Sequence, residues 1–108
     1  MVEILNAEGI NGQVKIFENR VEITRKGARA FFSHGFDGTK IIFLKSISGL
    51  QFKECGKMTN GYLQFIFSGS KESKEGLLDA AKDENTVMFS AEQQQNFEQI
   101  KNAICEKL

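Results

Sequence analysis

Apolar and polar positions alternate along most of the first ninety residues, and the period changes to a helical one after that. Residues 13–17 (Gln-Val-Lys-Ile-Phe) put Val14 and Ile16 on one face. Glu18-Asn19 then makes a tight reversal, and residues 20–26 alternate again, with Val21 and Ile23 inward and Glu22, Thr24 and Lys26 outward. Two alternating runs about a short polar turn predict a β-hairpin. Residues 39–45 (Thr-Lys-Ile-Ile-Phe-Leu-Lys) are dense in β-branched and apolar side chains and predict a third strand. Residues 46–54 follow, with Leu50 and Phe52 opposed to Gln51 and Lys53. After a turn over 56–61, residues 62–68 place Leu63, Phe65 and Phe67 on the core side. Residues 85–90 form the last strand, with Val87 and Phe89 inward.

Two segments break the alternation. Residues 27–38 hold three Phe among glycines and read as a loop with room for a short helical turn. Residues 69–84 are too polar for a central strand; Leu77 and Leu78 are expected to pin their middle, as a short edge strand. Ser90 and Gln93 then match the capping-box pattern, in which both side chains satisfy backbone N–H groups at a helix start. From Ala91, Phe97, Ile100, Ile104 and Leu108 recur on one stripe. An amphipathic helix of this kind must bury its stripe on the sheet.

The predicted fold is mainly β: an antiparallel barrel or sandwich of six or seven strands, capped by one C-terminal α-helix, with one domain over residues 1–108. That order resembles the pleckstrin-homology architecture. The chain also resembles a bacterial and phage family of pleckstrin-homology-like domains of unknown function. The resemblance rests on the blocks at 25–27 (Arg-Lys-Gly), 34–40 (His-Gly-Phe-Asp-Gly-Thr-Lys), 47–53 (Ile-Ser-Gly-Leu-Gln-Phe-Lys), 59–65 (Thr-Asn-Gly-Tyr-Leu-Gln-Phe) and 83–89 (Asp-Glu-Asn-Thr-Val-Met-Phe), within a core of about 12–106. Members often stand beside a short C-terminal oligomerisation module, of which no copy is expected here. The resemblance implies a fold and no established activity.

Composition narrows the function classes. The chain has 108 residues, 14 basic and 14 acidic, so its formal net charge is zero, which argues against a whole-surface polyanion binder. No apolar run is long enough for a membrane-spanning helix, and the acidic N-terminus is unlike a secretory leader, so a cytoplasmic setting is expected. Cys55 and Cys105 lack the spacing of a zinc site or a disulfide framework. Cys105 is expected to pack as a small apolar residue and Cys55 to be a partly exposed thiol at a turn. His34 has no sequence partner beyond Ser33 and is assigned a loop-stabilising hydrogen bond rather than catalysis. Asp79, Asp83, Glu84 and Asn85 lack the alternating ligand pattern of a calcium loop and read as a turn before the last strand. There is no phosphate-binding loop, nucleophile elbow or metalloprotease motif. No metal, cofactor, small-molecule substrate or enzymatic reaction is therefore expected, and ten Phe argue for a filled interior.

Two features carry the functional expectation. Residues 15–57 hold nine basic and four acidic residues, a local excess of five, with Arg25, Lys26, Arg29 and Lys40 as a candidate basic patch. Phe31, Phe32 and Phe36 form the second; if exposed, they make an apolar patch of the kind that marks a binding surface. The expected function is a non-enzymatic module that binds a protein partner or copies of itself through an edge strand and this loop, including the variant of a phage accessory protein masking a host factor. The alternative is an anionic-lipid or phosphoinositide site at a membrane surface. It is disfavoured because the turn at Glu18-Asn19 is too short to wrap a headgroup. Nucleic acid lacks the aromatic-interleaved basic signature.

Overall fold

The computed structural model describes residues 3–25, 38–67 and 84–107. Strands β1 (Leu5–Glu8), β2 (Gln13–Ile16), β3 (Arg20–Arg25) and β4 (Gly38–Phe43) form a four-stranded antiparallel sheet in the order β1-β2-β3-β4. A 3-10 turn, Leu44–Ser46, leads into β5 (Ile47–Lys53), which begins a second antiparallel sheet with β6 (Gly61–Phe67) and β7 (Thr86–Phe89). The chain ends in helix α1 (Gln94–Lys107). The two sheets are not closed on each other by a continuous ladder, so the architecture is a sandwich rather than a barrel.

Alternation sets the sides. Val14 and Ile16 of β2 face the interior with Val21 and Ile23 of β3, the residues opposite them in the ladder. Leu63 and Phe65 of β6 and Val87 and Phe89 of β7 close the core from the second sheet. A single residue, Ser48, is looped out where β5 joins β6, and its hydroxyl donates to the Ile66 carbonyl at 3.2 Å. Gly61 opens β6 where no larger residue fits, because an added Cβ would meet the Lys53 carbonyl and come within 2.6 Å of the Phe89 ring.

Helix α1 rests on β1 and β6 and buries Phe97, Ile100 and Ile104, the stripe read from the sequence. A helix of 14 residues is marginal alone in water, and burying each of these side chains contributes about 1.5–3 kcal/mol. Tertiary packing therefore holds it. Phe97 stacks on Phe89 at 4.8 Å between centroids, and Phe89 stacks on Phe52 at 5.5 Å. The capping box forms on its glutamine side: the Ser90 N–H donates to Gln93 Oε1 at 2.9 Å. Residues 91–93 are a turn, so the regular helix begins three residues later than the period suggests.

Strand β1 was not visible in the alternation, since Leu5-Asn6-Ala7-Glu8 offers only one large apolar residue. Cys105 corrects its expectation: it is exposed, because it lies next to Ile104 but off the narrow buried stripe. Cys55 is half-buried, as expected. The edge strand expected at Leu77 and Leu78, the His34 loop, and the side chain of Leu108 lie outside the described residues.

Candidate docking surface

Strand β3 carries one arginine near each end, on opposite faces. Arg25 points inward and is 0% exposed, the largest fully buried side chain among the described residues. Its Nη1 donates to the Asn11 carbonyl at 2.8 Å. Its Nη2 donates to the carbonyls of Glu84 at 2.9 Å and Thr86 at 2.7 Å. The planar fork of donors suits this task, since it reaches two backbone segments at once. Arg25 thus ties the first sheet to the turn between β1 and β2 and to the start of β7 in the second sheet.

The same corner is sewn by backbone. Ile10 N–H donates to the Met88 carbonyl at 2.7 Å, and Met88 N–H donates to Asn11 Oδ1 at 2.9 Å. Gly9 lets the chains approach: an added Cβ would meet the Met88 carbonyl and stand 2.7 Å from Val87 Cγ1. Lys40 joins from β4, its ammonium 2.6 Å from Glu84 Oε1 and 5.7 Å from the Phe67 ring.

These positions correct the candidate basic patch. Arg25 is no part of a solvent-facing surface; alternation sends it into the core, where backbone carbonyls accept from its Nη1 and Nη2. Lys40 is half-buried and already paired with a carboxylate. Lys26, Arg29, Phe31, Phe32 and Phe36 lie outside the described residues.

The opposite end of β3 exposes a surface that the sequence reading missed. On the outer face the ladders align three rows across the sheet. The row nearest the Arg25 end runs Glu8, Gln13, Thr24, Thr39 and is polar, with the two threonine hydroxyls sharing a hydrogen bond of 3.2 Å. The middle row runs Asn6, Lys15, Glu22, Ile41. Continuing the same registers, the last row runs Ile4, Phe17, Arg20, Phe43. Ile41, Phe43 and Ile4 are 52%, 49% and 47% exposed. The Arg20 guanidinium lies 4.3 Å over the Phe17 ring, a cation–π placement that leaves the row apolar at both ends.

Charge on this face is largely answered from within. Arg20 Nε is 2.8 Å from Glu22 Oε2, and Lys15 Nζ is 3.7 Å from Glu3 Oε1. At its corner, the Leu44 N–H donates to the Asn19 carbonyl at 2.9 Å and pins the 3-10 turn to the β2–β3 turn. An open depression of about 380 Å³ lies there, lined by Asn19, Phe43, Leu44 and Lys45. Lys45 is exposed and makes no ion pair among the described residues. One signal could have found this surface: Ile41-Ile42-Phe43-Leu44 is an unbroken apolar run, and a strand turns alternate residues of such a run outward.

Among the described residues, no cluster of three or more His, Cys, Asp or Glu side chains is placed to hold a metal ion, and no helix is long and apolar enough to cross a membrane. No curated protein and no solved structure matches the chain. One family model does match, over residues 17–105: the domain of unknown function DUF4429.

Proposed function

The chain belongs to the DUF4429 family of domains of unknown function, and from that premise we propose that it is a non-enzymatic docking module of pleckstrin-homology-like fold that binds a protein through the outer face of its first sheet. The division into four strands, three strands and a terminal helix supports the fold assignment. The observation that carries the function is the exposed Ile41 and Phe43 beside Ile4 and the Arg20-covered Phe17. Monomeric surfaces seldom gather such residues without a use, and aromatic and arginine side chains dominate interface energies.

Protein is favoured over membrane by the charges. A polybasic surface gains about 1 kcal/mol per free Lys or Arg near an anionic bilayer. Among the described residues of this face, Lys15 and Arg20 are each paired with a carboxylate and Lys45 is the cation without an ion pair. A single free lysine among the described residues gives this face little hold on a bilayer. A phage accessory protein that masks a host factor would use the same surface with a foreign partner.

The test compares the wild-type chain with the double variant Ile41→Thr/Phe43→Thr. Both positions are exposed, so the variant is expected to melt as the wild type does. Affinity capture with mass spectrometry, and sedimentation of the free protein across concentrations, read out partner and self-association. Loss in the variant of a protein captured by the wild type, or of a self-associated species, supports the surface. Identical captured proteins and sedimentation for both chains would place docking elsewhere.

A further inference from the structure

The outer face of the first sheet carries both halves of an interface. Its two rows nearest the β2–β3 turn run Asn6, Lys15, Glu22, Ile41 and Ile4, Phe17, Arg20, Phe43 from β1 to β4. In each row the β3–β4 half answers the β1–β2 half. At the centre of the middle row a cation, Lys15, stands beside an anion, Glu22. At the centre of the last row an aromatic ring, Phe17, stands beside the guanidinium of Arg20. The ends of the last row, Ile4 and Phe43, are both apolar and half exposed. In formal charge Lys15 and Arg20 balance Glu3 and Glu22, to which they are joined in ion pairs.

Resting on the docking surface proposed above, we infer that the protein it binds is a second copy of this chain, in a symmetric dimer whose first sheets stack face to face about a twofold axis running along the strands between β2 and β3. That operation sets β2 of one copy against β3 of the other, and β1 against β4, row for row. Lys15 then meets Glu22 of the second copy, Phe17 meets its Arg20, and Ile4 meets its Phe43. Each pair is made twice, as an isologous interface requires. Asn6 against Ile41 is the unlike pair of the two rows, and the Asn6 amide already donates to Glu3 Oε2 at 2.7 Å within its own chain. Sheets that pack face to face keep their strands within about 30° of one another, and an axis along the strands holds the two sets aligned. A foreign partner must supply the complement of this face; a second copy carries it. Four strands about 4.8 Å apart by three rows about 6.8 Å apart give a footprint on the order of 400 Å² per copy, below the roughly 800 Å² of a standard interface. The dimer is therefore weak and concentration-dependent.

The test is sedimentation of the full chain from micromolar to millimolar concentration, for wild type, Lys15→Glu, Glu22→Lys and an equimolar mixture of the two variants. Wild type is expected to shift from monomer towards dimer across this range. Each variant alone sets like charges against each other at two points of the dimer, so its dissociation constant is expected to rise about tenfold. In the mixture each introduced charge meets its opposite on the other chain, and mixed dimers are expected to recover the wild-type constant to within about threefold. A folding defect gives no such recovery, since each chain would carry it into the mixture, and thermal melts check both variants. A wild type that stays monomeric throughout, variants that dimerise as wild type does, or a mixture that dimerises no better than either variant alone overturns the inference. If wild type stays monomeric while Ile41→Thr/Phe43→Thr still abolishes capture of another protein, the docking surface stands and self-pairing falls alone.

Discussion

The two ends of β3 show how one residue type serves opposite purposes a few positions apart. Arg25 and Arg20 stand five residues apart and therefore on opposite faces. The Arg25 end is closed: three backbone carbonyls, two covalently distant segments and a backbone suture meet there. The Arg20 end is open, with apolar side chains left on the outside and its charges balanced locally. Ile41 and Phe43 fall on the outer face of β4 by alternation, with Ile42 between them turned to the core. Burial of a cation is tolerated only when its donors are taken up, and the carbonyls of Asn11, Glu84 and Thr86 accept three hydrogen bonds from Arg25.

The comparison can be broken most directly at Arg25. Arg25→Met is expected to destabilise the domain by about 3–5 kcal/mol, since it strands the carbonyls of Asn11, Glu84 and Thr86 in a buried corner. Urea unfolding measures it, and a loss below about 1 kcal/mol would show that the clamp is dispensable. Arg25→Lys is expected to recover only part, because an ammonium lacks the flat fork. Gly9→Ala comes next, at about 1–3 kcal/mol, as the new methyl must displace the Met88 carbonyl and Val87. A thermal shift indistinguishable from wild type would mean that this corner yields easily. Glu84→Gln removes the carboxylate from Lys40 while leaving the Glu84 carbonyl on Arg25, so it is expected to cost at most about 1 kcal/mol, and less at high salt. At the open end, Arg20→Ala and Phe43→Thr are each expected to stay within about 0.5 kcal/mol of wild type in stability. A large loss from either would make the Arg20 end structural too and would remove the contrast.

The strands of the core were largely readable. Val14 with Ile16, Val21 with Ile23, Leu63 with Phe65 and Val87 with Phe89 are all inward where the alternation put them. The helical stripe of Phe97, Ile100 and Ile104 and the glutamine of the capping box were equally plain. Strand β1 escaped because it is four residues long and offers one large apolar side chain. Its pairing with β2 and its contact with α1 define it more than its composition does. The exposure of Ile41 and Phe43 was not readable in the same way. In the run Ile41-Ile42-Phe43-Leu44 every position is apolar, so the pattern carries no parity. The charge count combined a buried arginine and a paired lysine into one patch.

By itself the sequence determined the class of the protein: short alternating strands, one terminal amphipathic helix, and an interior filled by Phe and branched aliphatic side chains. Those features follow from local period, which is written into neighbouring residues. What only the tertiary structure decided is which face of a strand meets water and what a charge meets when it turns inward. Arg25 became a clamp because Asn11, Glu84 and Thr86, remote along the chain, bring their carbonyls to one corner. Ile41 and Phe43 became surface because they fall on the outer face of the first sheet, while Ile42 faces the core. Neighbour order within a sheet depends on contacts between distant residues, and no local pattern encodes it.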